Sequence, residues 1–216
     1  MKEFINNFLE PLSPLLPLLL FLFNFRKARA TVDLRLLFFV YLVLFILNLM
    51  AAIYAYFDTT NIWIYDLICI TAFITISFYL ISILRSETRR KIIYFFLPVY
   101  IAFFLGYTYV LGYNSLFNSI SFAALSLLIS TYCVLFFVEK LTRMEEEHLQ
   151  DSYSFWVVTS FFVYYLGSFF IFLTFKHLSS QGASIGILWG LHNIIYFISC
   201  SIAAYGLWKQ FQMKFI

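Results

Sequence analysis

Residues 36–57 read LLFFVYLVLFILNLMAAIYAYF, twenty-two positions without a charge, preceded by Arg35 and closed by Asp58-Thr59-Thr60-Asn61. As a helix this stretch would be about 33 Å long at ~1.5 Å per residue, enough to cross a hydrocarbon core of ~30 Å. A backbone in lipid has no water to bond, so a span of this kind must satisfy its own N–H and C=O groups as a helix. Working outward, six more apolar runs of similar length appear, at 8–25, 62–84, 92–112, 115–138, 153–175 and 184–207. They are too long and continuous for the alternating strands of an outer-membrane barrel. The fold class read from these runs is an all-α, seven-helix transmembrane bundle forming one domain across residues 1–216.

Composition agrees. With 63% hydrophobic residues, 12% charged residues and a mean hydropathy of +0.89, the apolar surface exceeds what a soluble core of this size can enclose. The charges that remain are ordered. Arg26, Lys27, Arg29 and Arg35 follow the first run, Arg85, Arg89, Arg90 and Lys91 the third, Lys140 and Arg143 the fifth, and Lys209 and Lys214 the seventh. Only Lys2 and Lys176 fall on the other side. Short basic loops stay in the cytoplasm, so the expected topology is N-terminus outside and C-terminus inside, in a bacterial inner membrane. The net charge of +3 is therefore accounted for by loops beside the bilayer, with anionic lipid as their partner and no nucleic acid implied.

The first run is read as a true helix and not as a secretory signal, because its strong basic cluster comes after the apolar stretch. Pro11, Pro14 and Pro17 predict an irregular outer half for it. Cys69, Cys133 and Cys200 share no close spacing and read as small buried apolar residues, with no disulfide or metal motif. Trp63, Trp156 and Trp208 fall at span ends, where indoles anchor to the membrane interface, whereas Trp189 lies deeper in the seventh run and is a candidate for the wall of a pocket.

Polar residues inside lipid need partners or a wet cavity, so they are the candidate site. Asp66 in the third run and His192 in the seventh are read as the ionisable groups well inside spans, and Asn48 and Asn193 lie at comparable outer-half depths. Tyr196 stands one helical turn after His192 and can share its face. Two readings follow: a network that packs helices together, or an outward-opening cavity for a small ligand, ion or lipid headgroup, with Asp66, His192, Asn193, Asn48, Tyr196 and Trp189 as its lining. On the cytoplasmic side, Glu139, Arg143, Glu145, Glu146 and Glu147 form a charged segment that reads either as a solvated helix end or as a docking surface for a cytoplasmic signalling protein or another membrane protein.

Several chemistries lack their residues. There is no glycine-rich phosphate loop, no paired-histidine zinc helix and no glycine-flanked nucleophilic serine. The seventh run has no lysine for a retinal Schiff base, and no cofactor is implied. No catalytic residue set is assigned, and no inverted repeat of the kind found in transporters is evident in charge or hydropathy.

The exit of the fifth run at Glu139, the Phe155-Trp156 start of the sixth with Tyr164-Tyr165-Leu166-Gly167 after it, and Asn193-Ile194-Ile195-Tyr196 in the seventh resemble a group of seven-helix membrane proteins of Bacteroidetes-type bacteria. Similar membrane regions stand in front of histidine kinases in those organisms. The resemblance implies sensing or protein association; taken with the polar residues above, the leading expectation is a sensory or accessory module with a small ligand or lipid in its outer half, the alternatives being a small-molecule transporter or a structural scaffold.

Overall fold

The computed structural model of the chain describes residues 8–24, 31–111, 117–143, 149–180 and 185–213. Eight α-helices and one 3-10 turn carry the described residues, and none of those residues is in a strand. The first run forms two short helices, α1 (Leu9–Leu12) and α2 (Leu15–Phe23). The remaining runs give α3 (Val32–Tyr56), α4 (Ile62–Ile83), α5 (Glu87–Leu111), α6 (Ser119–Arg143), α7 (Tyr153–Ser180) and α8 (Ile185–Met213). These last six are long and apolar enough to cross a membrane. The result is an integral-membrane type of helical bundle.

The first run departs from a simple span. Pro14 brings no N–H and Pro17 follows it, so the helix breaks after Leu12 and restarts at Leu15. Ser13 turns back at the break, its hydroxyl donating to the Leu9 carbonyl at 2.5 Å. α2 alone is about 13 Å long at ~1.5 Å per residue, well short of a ~30 Å core. Its role is lateral: it packs against α8 and α3.

That contact closes a ring. α3 packs on α4, α4 on α6, α6 on α7, α7 on α8, and α8 returns to α3 through α2 and α1. α5 stands outside the ring, against α4 and α6, and leaves Phe95, Val99, Phe103 and Leu105 on its outer surface. Within each helix both faces are apolar. On α3, Leu37, Tyr41, Leu44, Asn48 and Ala51 are buried at helical spacing, while Phe39, Ile46 and Ile53 point out, where lipid would cover them. α7 and α8 come close at Gly206, where an added Cβ would stand 2.4 Å from the Trp156 Cβ. A glycine is the residue that lets two helix backbones pass this near.

At one end of the bundle the turns carry the basic residues. The Glu139 carboxylate at the end of α6 accepts from the Arg85 and Ser86 backbone N–H groups at 2.6 and 3.1 Å, and from Arg89 Nη1 at 3.1 Å. Lys209 Nζ meets Asp151 Oδ1 at 2.5 Å and the Gln150 carbonyl at 3.0 Å. The Tyr153 hydroxyl donates to Asp33, tying the start of α7 to the start of α3. Trp156 donates from its indole to the Gln150 carbonyl at 2.7 Å, and Trp208 is half exposed, both fitting the interfacial role read for them.

Glu139 therefore needs a correction. It is 4% exposed and is consumed in holding the α4–α5 turn, where its two carboxylate oxygens take up N–H groups at the start of α5 that have no helical acceptor. It is a latch inside the bundle and presents no docking surface. α6 runs on to Arg143, so the helix does continue past the apolar run. Glu145, Glu146 and Glu147 lie outside the described residues.

Candidate functional site

At the end opposite the basic turns the ring opens into a cavity of about 550 Å³. The room comes from α3, whose last turns present Asn48, Ala51, Ala52 and Ala55, small residues three to four positions apart on one face. α3 then stops where Asp58 takes a left-handed conformation, φ 53°, a geometry aspartate tolerates better than most residues. The turn is held by Thr59 Oγ1 donating to the Tyr54 carbonyl at 2.8 Å and Asn61 Nδ2 donating to the Ala51 carbonyl at 3.1 Å.

The opposing wall is aromatic. Tyr65 of α4 meets Trp189 of α8 edge to face, ring centres 5.2 Å apart, and meets Phe117 at 6.0 Å. Phe117 in turn lies 5.8 Å from Trp189 and 5.1 Å from Phe175 of α7. Rings in perpendicular contact lock one another, so three helices and the segment leading into α6 share one stiff wall.

Into this space α1 carries a carboxyl. Glu10 is 8% exposed and lines the cavity beside Pro11. The Tyr65 hydroxyl donates to Glu10 Oε2 at 3.3 Å, and the Trp189 indole is a second donor directed at the same carboxyl. No basic side chain among the described residues pairs with it. Sequence reading named only Asp66 and His192 as ionisable groups well inside spans; Glu10 joins them through tertiary packing. The available signal was the proline triplet, which stops α1 from continuing straight and lets its first turn fold in against α3 and α8.

Beneath the cavity a second, smaller void of about 30 Å³ continues toward the bundle centre, and Glu10 and Asn48 border both. Tyr41, Tyr164, Tyr165 and Tyr196 line it together with Ser199. Its volume is enough for about one or two waters. Asn48 Nδ2 donates to the Tyr196 hydroxyl at 3.4 Å, joining α3 to α8 across it. The same layer holds the Ser199 hydroxyl on the Ser160 carbonyl at 2.8 Å.

The six residues expected to line one site separate into four places. Asn48 and Trp189 border the outer cavity, and Tyr196 borders the void below. His192 is 2% exposed and packed between α7 and α8, with Tyr164 OH 3.5 Å from Nε2, Ser168 Oγ 3.4 Å from Nδ1, and the Phe172 ring 5.1 Å away. It borders neither cavity. Asn193, about 100° further round α8, is also fully enclosed.

Asp66 lies with α5 and α6 and borders neither cavity. Its side-chain partner is Asn118, whose Nδ2 donates to Thr108 Oγ1 at 3.0 Å and whose Oδ1 accepts the Ser121 N–H at 3.2 Å, capping α6. In the same cluster Tyr100 donates to the Ser121 carbonyl at 3.0 Å, which spends its only proton. The Cys69 thiol, 3.0 Å from that phenol oxygen, must therefore be the donor between them. All three cysteines are free and buried.

No family model matches the chain, and neither a curated protein nor a solved structure does.

Proposed function

We propose that this chain is a sensory or accessory module of a bacterial inner membrane, with α1 and α2 together as a short first crossing ahead of the six long helices, N-terminus outside and C-terminus in the cytoplasm, which binds a small molecule or lipid in the outer cavity. The observation that carries this reading is the cavity itself. Its volume of about 550 Å³ falls in the usual range for small-ligand pockets, roughly 300–1,000 Å³. It has the composition of such pockets, mostly apolar with a few placed polar groups, here Glu10, Asn48, Asn61 and Tyr65. Polar groups in lipid are costly unless they face partners or a cavity, and these face a cavity.

A receiving role is favoured over transport because the space narrows from about 550 to about 30 Å³ at the level of Tyr196, and Tyr79, Phe136 and Leu37 are fully buried toward the basic end. Occupancy would act on a partner only if the ligand distinguished two states of the bundle. Two of the helices that wall the cavity, α7 and α8, meet the Leu149–Asp151 turn at their opposite ends, where Lys209 pairs with Asp151.

The test is capture of lipids and metabolites by the purified chain, compared with Ala52→Phe, which places a ring in the cavity. A ligand retained by the wild type and reduced about tenfold in the variant supports the reading, since that ratio corresponds to ~1.4 kcal/mol of binding. Equal capture by both forms rejects it.

A further inference from the structure

We infer that the outer cavity receives an organic ammonium group, with Glu10 as its counter-charge; this rests on the cavity reading above and names the chemistry of the occupant. A carboxylate removed from water requires compensation by hydrogen bonds and by opposite charge. At Glu10 the protein supplies two neutral donors, Tyr65 and Trp189, and no cation among the described residues. The side of the carboxyl turned to the cavity is left for a ligand to complete.

The wall specifies which cation. Phe8, Tyr56, Tyr65, Phe117, Phe175 and Trp189 surround the space, and aromatic faces attract alkylated ammonium through their electron-rich π-systems. The alanines of α3 and the phenyl rings accommodate methyl and methylene groups without demanding hydrogen bonds. A bare metal ion would instead need several oxygen ligands, and Glu10 is the one carboxyl among the described residues that line the cavity. Anions are disfavoured by the same carboxylate, and among the described residues no guanidinium or ammonium lines the space to receive a phosphate. An ammonium joined to an apolar body satisfies every part of the lining. Its source is either a phospholipid headgroup or a free amphipathic amine.

The experiment uses the full chain in nanodiscs of phosphatidylglycerol, which has no ammonium headgroup. Trp63, Trp156 and Trp208 are changed to Phe so that fluorescence reports Trp189 alone. Choline is titrated beside its neutral carbon isostere, in which a tert-butyl group replaces the trimethylammonium. Saturable binding of choline is expected, weakened at least about tenfold by Glu10→Gln, with Tyr65→Phe losing less and the neutral isostere binding weakly and equally to all forms. Unchanged melting of Glu10→Gln confirms that it folds; if it does not, Tyr65→Phe and the isostere comparison decide alone. Native mass spectrometry in mixed discs separates the sources: phosphatidylethanolamine retained over phosphatidylglycerol, and lost in Glu10→Gln, identifies a lipid headgroup, whereas choline binding without lipid selectivity identifies a free amine.

Equal affinity for choline and the isostere, or no effect of Glu10→Gln on choline, overturns the ammonium assignment while leaving the cavity in use. Absence of both choline binding and lipid selectivity also overturns it. The cavity reading falls separately, through capture that is unchanged by Ala52→Phe.

Discussion

Removal of the Glu139 side chain should unlatch the α4–α5 turn. In Glu139→Ala, the Arg85 and Ser86 amides lose acceptors at 2.6 and 3.1 Å and Arg89 loses its ion pair at 3.1 Å. A hydrogen bond to a charged group contributes about 1.5 kcal/mol at the low end, giving about 3 kcal/mol for the two amides. The Arg89 arm, 21% exposed, is partly screened and adds about 0.5 kcal/mol, for a total near 3.5 kcal/mol. Glu139→Gln keeps one good carbonyl acceptor and should lose about half of that. The assay is reversible unfolding in mixed micelles with increasing SDS fraction, followed by intrinsic fluorescence. A Glu139→Ala loss below about 1 kcal/mol, in the range of ordinary surface substitutions, would refute the latch. A docking role for Glu139 forecasts that opposite result, with stability kept and partner binding lost.

Three glycines should respond differently to alanine. Gly206→Ala drives a Cβ to 2.4 Å from Trp156 and should cost about 1–3 kcal/mol, whereas Gly106→Ala on α5 meets nothing within 4 Å and should stabilise by up to about 1 kcal/mol in the same unfolding assay. Gly167→Ala meets only the Ile195 side chain, its Cγ2 at 3.2 Å and its Cδ1 at 3.3 Å, and should fall between them. His192→Ala removes a ring packed on Tyr164, Phe172 and Trp189 and should cost about 2–4 kcal/mol, while His192→Phe restores most of it. If His192→Ala leaves stability unchanged but alters ligand capture, the packing assignment is mistaken. For topology, Thr60→Cys and Thr88→Cys lie at exposed sites at opposite ends, and the native cysteines are buried, so an impermeant maleimide applied to intact cells should label only Thr60→Cys. The reverse pattern would invert the proposed orientation.

Part of this protein is written along the chain in one dimension. Hydropathy marks where each run enters and leaves lipid, so the stretch 36–57 falls almost wholly within Val32–Tyr56, and 62–84 nearly coincides with Ile62–Ile83. Basic residues mark alternate connections, and their clustering at one end of the bundle follows from antiparallel neighbours. Proline spacing at 11, 14 and 17 announced a broken outer half to the first run.

What the chain does not write is which way each side chain faces. In a soluble helix the apolar stripe points to the core; in α3 both the core face and the lipid face are apolar, so Asn48 and Ile46 differ in burial without a pattern that foretells it. Depth alone therefore grouped Asp66, His192 and Asn48, and only helix packing sent Asp66 to Asn118, His192 to Ser168 and Asn48 to the cavity. Glu139 looked solvated because it ends an apolar run, yet the neighbouring turn folds over it. Glu10 is the clearest case. Sequence alone determined a helical membrane chain with a proline-broken first run; the ring closed by α1 and α2 decided that a carboxyl from that break would face an aromatic cavity, because burial is settled by neighbours distant in the chain.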